Sequence, residues 1–120
     1  MADHNVLGKQ GEDLAVQHLL KEGYEIRERN WWHGKYEIDV IAQKGHVLAF
    51  VEVKSRTGDL FGEPEEGVTR QKERNIAEAA DHYIQQRDLH VEARFDIISV
   101  TFYKGRHELK MIEDAFYPFM

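Results

Sequence analysis

The run Tyr36 to Arg56, YEIDVIAQKGHVLAFVEVKSR, constrains the fold of this chain more than any other stretch. Two β-prone segments, Glu37 to Ala42 and Val47 to Lys54, are joined by QKGH, a short glycine-containing connection that predicts a hairpin. The second segment, VLAFVEVK, is rich in apolar and β-branched residues and reads as a central strand. Yet these strands carry Glu37, Asp39, Glu52 and Lys54 at alternating positions.

Around that hairpin the chain divides readily. Leu7 to Glu22 predicts a first helix, with Leu7, Gly11, Leu14, Ala15, His18, Leu19 and Glu22 near one face, Asn5 as its cap and Gly23 past its end. Tyr24 to Asn30 predicts an early or edge strand, in which Tyr24, Ile26 and Glu28 alternate with Glu25, Arg27 and Arg29. His33-Gly34-Lys35 turns the chain into the central hairpin. SRTGDLFGEPEEG, with three glycines and Pro64, predicts a long loop. Thr69 caps a second helix reaching about Arg87, its apolar stripe formed by Ile76, Ala79, Ala80, Tyr83 and Ile84. ARFDIISV predicts a strand, and the helix before it implies a parallel crossover from the central strand. Glu108 to Ile112 gives a short last strand after Gly105. The expectation is one α/β domain over residues 1–120, a mixed central sheet flanked by helices in the order α-β-β-β-α-β-β.

Side chains two apart on a strand share a face. Glu37 and Asp39 therefore point one way, with Ile38 and Val40 opposite. Glu52 and Lys54 form a second pair, with Val51 and Val53 opposite. The hairpin makes the two strands neighbours, so Asp39 and Glu52 can share one divalent cation. Hard cations such as Mg²⁺ or Mn²⁺ take oxygen ligands, often one or two carboxylates plus water and phosphate. Lys54 can orient or deprotonate an attacking water, or stabilise charge growing on phosphate oxygens. Charges on the solvent face of an alternating strand are also ordinary. Against that stands Glu52, in the middle of a central-looking strand, where an unpaired carboxylate is costly.

Glu12, in GKQGEDLA, adds an acid from the first helix, where Gly8 and Gly11 permit close approach to the sheet. A solvated acid favoured by the helix dipole is the simpler alternative. Arg70, Lys72 and Arg74 cluster at the start of the second helix, an unfavourable place for cations unless an anion is near. With Gln71 and Arg56 they form a candidate phosphate-facing patch; Arg70 and Lys72 can equally offset Glu65 and Glu66. Trp31 and Trp32 are read as core or surface anchors rather than base-stacking residues.

Composition narrows the classes. With no cysteine, disulfides, zinc–cysteine clusters and thiol chemistry are excluded, and a cytoplasmic location is expected. No signal peptide or membrane-spanning run is expected. The net charge of −6 argues against broad nucleic-acid coating but leaves room for a local basic patch. The seven histidines assemble no metal motif, and there is no nucleotide-binding glycine loop or GxSxG elbow.

Six features in order carry a resemblance: GKQGEDLAVQHLLKEGYEIRERN at Gly8 to Asn30, YEIDVIA at Tyr36 to Ala42, FVEVKSR at Phe50 to Arg56, Lys72, AEAADHYI at Ala77 to Ile84, and RFDIISV at Arg94 to Val100. Together they make the chain similar to the YraN-like family of small bacterial proteins, placed with the restriction-endonuclease-like PD-(D/E)xK nucleases and similar to archaeal Holliday junction resolvases. The resemblance implies a restriction-endonuclease-like fold and Mg²⁺- or Mn²⁺-dependent hydrolysis of DNA, including branched or structured DNA, leaving a 5′-phosphate. It implies Asp39 as the nuclease aspartate, Glu52 and Lys54 as the (D/E) and lysine of the motif, and Glu12 as the helical glutamate assisting the metal. Glu37 is a family-associated acid read here as a supporting metal-site residue. Tyr36 departs from the family pattern, which commonly has glycine there. A homodimer would bring two sites together for two-strand cutting. The alternative is a nucleic-acid-binding or accessory protein on a nuclease-like fold with weak or no catalysis, and a third option is a soluble scaffold.

Overall fold

The computed structural model describes residues 2–58 and 69–116, with side chains from residue 6 onward. The elements are α1 (Ala2–Lys21), β1 (Glu25–His33), β2 (Tyr36–Lys44), β3 (Val47–Thr57), α2 (Arg70–Gln86), β4 (Glu92–Tyr103) and β5 (Arg106–Ile112). The order is the one expected. The strands form one five-stranded sheet, β1-β2-β3-β4-β5, antiparallel throughout except for the parallel β3–β4 pair that α2 connects.

Local chemistry sets the boundaries. Gly23, at φ +94, ends α1 in a Schellman turn: Tyr24 N–H reaches Leu19 O at 2.9 Å and Gly23 N–H reaches Leu20 O at 3.1 Å. α2 starts where Thr69 Oγ1 accepts the Lys72 N–H at 3.1 Å. It ends in a second Schellman turn with Asp88, at φ +51, in the glycine position. Asn5 is not a cap, because α1 already begins at Ala2. β1 runs on through Trp31, Trp32 and His33, since cross-strand pairing with β2 continues to His33–Tyr36. Ser55 to Thr57 belong to β3 rather than a loop, held by the ladder with β4 as far as Thr57–Phe102. The glycine-rich remainder of that expected loop lies outside the described residues from 59 to 68.

Two cores sandwich the sheet. Ala15 and Leu19 of α1 pack with Val40, Ala42, Ala49, Val51, Ile98 and Val100 on one face. Ala79, Ala80 and Tyr83 of α2 pack with Ile38, Ile41, Leu48 and Phe50 on the other. Gly11 makes the first contact intimate: a Cβ there would lie 1.8 Å from Ser55 Oγ. Trp31 joins the α2-side core edge-on to Tyr83, whereas Trp32 is exposed on the surface. No helix among the described residues is long and apolar enough to cross a membrane.

A carboxylate and lysine site where two strands part

Asp39 lies just past the last β2–β3 ladder pair, Val40–Val51. Its Oδ2 accepts the Val53 N–H at 2.8 Å, so the carboxylate bridges the two strands as they diverge. The simple alternation expected for β2 fails here. Ile38 packs in the α2-side core and Val40 in the α1-side core, so these neighbours of Asp39 face opposite ways. Opposite Asp39 on β1, Asn30 lies between the pairs Arg29–Val40 and Trp31–Ile38 with φ +51, a conformation uncommon for a residue other than glycine. A further irregularity lies between Ile26 and Glu28, so Arg27 and Glu28 both reach the Tyr83 hydroxyl, at 3.2 Å each. These departures from regular pleating are what period-two reading cannot supply.

On β3 the alternation holds. Val51 and Val53 face the α1-side core. Glu52, only 8% exposed, and Lys54 face the α2 side. There Glu52 is ion-paired with Lys72 of α2, and Lys54 Nζ lies 3.9 Å from the same Oε1. Lys72 is therefore turned inward against Glu52. Its spacing from Ile76, Ala79 and Tyr83 already places it on the buried stripe of α2, a signal the cluster of cations at the helix start conceals. Gln71 donates to Asn75 Oδ1 at 3.0 Å, and Arg70, Gln71 and Arg74 are exposed on the first turns.

Glu12 comes from α1, on the other face. Asn30 Nδ2 donates to both its oxygens, at 3.0 and 3.1 Å, and Arg29 Nη2 lies 3.8 Å away. Arg29 also bonds Asp13 at 2.9 Å and holds that carboxyl below its usual range. A cavity of about 520 Å³ between α1 and the outer half of β3 is bordered by Leu7, Glu12, Asp39, Lys54, Ser55 and Arg56. Glu52 is not among the residues of that wall, and the half-buried Glu37 pairs across to Trp32 on β1.

Burial pushes the Asp39 carboxyl up to about 7, and the charges of Glu52, Glu12 and Glu37 add to it against the lowering effect of the Val53 N–H. Burial and the neighbouring Lys72 lower the Lys54 ammonium. Lys72 is also disfavoured by burial, but its bond to Glu52 outweighs this and raises it. Three acids thus act on Asp39 electrostatically. Among the described residues, however, no three Asp, Glu or His side chains are gathered closely enough to hold a metal ion. Asp39 and Glu52 remain as a two-carboxylate oxygen set, which fits a Mg²⁺-like ion that keeps most of its waters.

Fold and site together define a mixed α/β protein with a five-stranded, mostly antiparallel sheet, two helices, and a carboxylate–lysine cluster where β2 and β3 separate. The chain belongs to the uncharacterised protein family UPF0102, whose model matches residues 11–100. A UPF0102 protein of Flavobacterium psychrophilum is 50% identical over 121 residues, covering 99% of this chain and 100% of the relative. One from Bacteroides thetaiotaomicron is 46% identical over 118 residues and 98% of each chain. One from Christiangramia forsetii is 42% identical over 119 residues, covering 99% of this chain and 100% of the relative.

Proposed function

We propose that the chain is a metal-dependent endonuclease on a restriction-endonuclease-like fold, hydrolysing phosphodiester bonds of DNA, with branched or structured DNA as its substrate form. The observation that carries this reading is the gathering of Asp39, Glu52 and Lys54 where adjoining strands part, with Glu12 brought by α1 to the cavity that Asp39 and Lys54 border. Asp39 and Glu52 would hold Mg²⁺ or Mn²⁺, with Glu12 and Glu37 supporting. The ion, when bound, supplies Lewis-acid polarisation of the phosphate and activation of water.

The chain's own residues do the rest. Lys54, with its lowered proton affinity, lies beside Glu52, where its amine can fix the attacking water in line with phosphorus. Asn30 and Arg29 keep the Glu12 carboxylate in one orientation. Arg56, Arg70, Gln71 and Arg74 offer donors to flanking phosphates, while Lys72 restrains Glu52.

Asp39→Ala, Glu52→Ala and Lys54→Ala should each abolish Mg²⁺- or Mn²⁺-dependent cleavage of branched, flapped or single-stranded DNA, with circular dichroism showing the fold retained. A second reading is favoured by the Lys72–Glu52 ion pair, which occupies one of the two carboxylates: a nucleic-acid-binding or accessory protein without catalysis. DNA binding by the parent chain with no cleavage under either ion would decide for it.

A further inference from the structure

A second cavity, of about 460 Å³, lies on the sheet face that carries Glu52 and Lys54. Its walls include Arg56, Ser99, Thr101, Tyr103, Glu108 and Lys110. The register fixes their arrangement. Lys54, Ser99 and Lys110 form one row across β3, β4 and β5, and Arg56, Thr101 and Glu108 form the next. Ile98, Val100, Leu109 and Met111 pack on the α1-side core, so Ser99, Thr101, Glu108 and Lys110 point to the opposite face. The row that begins at Lys54 therefore leads directly from the candidate site into this cavity.

The charges on that wall are unequal in kind. Glu108 is already engaged, accepting from Arg106 Nη1 at 2.9 Å and facing the Tyr103 hydroxyl at 3.4 Å. Lys110 has no carboxylate partner among the described residues. Two hydroxyls, Ser99 and Thr101, lie between the cations of β3 and β5. A two-residue step along a strand is about 7 Å, and two strand spacings are about 10 Å. The backbone positions of Lys54, Arg56 and Lys110 are thus spread on the scale of successive backbone phosphates, a spacing that suits an anion with repeated charges.

We infer that this face is a subsite for a phosphodiester backbone, in which Lys110, Arg56 and Thr101 hold the phosphates flanking the one at Lys54, over a floor that includes the buried Ser99. The inference rests on the nuclease reading for its ligand, and it adds β4 and β5 to a site otherwise built from α1, β2, β3 and α2. It gives the track a direction, outward from Lys54 toward the β5 edge.

Fluorescent oligonucleotide binding, measured by anisotropy across a salt series, tests it in an Asp39→Ala background that prevents cutting. Lys110→Gln should weaken binding roughly five- to tenfold at low salt and reduce the slope of log affinity against log salt by roughly 0.7–0.9, the loss of one phosphate contact. Thr101→Val should weaken binding with the slope kept. Lys21→Gln, at the far end of α1, removes the same charge and should do neither. Equal affinity and slope for Lys110→Gln and its background would overturn the subsite while leaving the nuclease reading to the cleavage assay on the parent. Equal losses from Lys21→Gln would reduce the effect to general charge and overturn it too. Competition by inorganic phosphate beyond that of chloride at equal ionic strength would mark a single-anion pocket, also against it. Absence of any oligonucleotide binding or cleavage by the parent would overturn both readings together.

Discussion

Asp39 sets a condition on the stability of the ion-free chain. Its folded-state carboxyl is raised to about 7 from an ordinary 3.8. The folded chain therefore holds this proton more tightly than the unfolded chain. The associated stability is fully present below about pH 4 and is lost as pH rises toward 7. Asp39→Asn keeps an acceptor for the Val53 N–H and removes the charge. Urea unfolding without divalent ions should find it more stable than the parent by about 2 kcal/mol above pH 7, with the difference vanishing near pH 4. Asn30 gives a second test at this scale. Glycine adopts its left-handed backbone without strain, so Asn30→Gly should leave the melting temperature nearly unchanged. With the amide gone from Glu12, cleavage and Mn²⁺ affinity should fall about 10- to 100-fold. Asn30→Ala should show the same loss and additionally destabilise by about 1 kcal/mol.

The elements show what the sequence makes legible. Hydrophobic periodicity finds all seven of them, and the alternation of β3 correctly separates Val51 and Val53 from Glu52 and Lys54. The same rule misreads β2 at Asp39 and β1 at Arg27, because bulges and a positive-φ residue change which way a side chain points without changing the pattern of residue types. Asparagine tolerates positive φ better than most residues, so RERNWWHG contained a usable hint at Asn30. Lys72 was readable from helical spacing but not its partner, since nothing in the sequence aligns α2 with Glu52. The docking of α1 depends on one missing methyl group at Gly11. Gly11→Ala should destabilise the chain by about 1–3 kcal/mol, because its Cβ would meet Ser55 Oγ. A double-mutant cycle with Ser55→Ala should recover part of that loss, and strict additivity would show that the helix accommodates the methyl elsewhere.

At the scale of the molecule, a buried polar group on the β4 strand beside the site ties three segments of the chain together. Asp96, fully buried on β4, accepts from Arg94 at 2.9 and 3.0 Å and from the Asp114 backbone at 3.0 Å, while Arg94 also bonds the Tyr24 hydroxyl. This links the turn after α1, the start of β4 and the segment after β5. Asp96→Ala leaves the Arg94 charge without its main partner and should cost about 3–5 kcal/mol in chemical denaturation, with the loss spread over the whole transition. The parallel β3–β4 pair has a different consequence. During synthesis, β2 and β3 are adjacent in sequence and can close as a hairpin at once, bringing Asp39 to Val53. The lysine counter-charge to Glu52 comes from α2, and the β4 that encloses β3 follows later still. A ribosome-bound chain therefore carries its carboxylates before their restraint, and full assembly waits on the slow, non-local closure of the crossover. Assembly of the cluster is timed by topology: a partial product ending before β4 lacks the strand that pairs with β3 along Glu52 and Lys54.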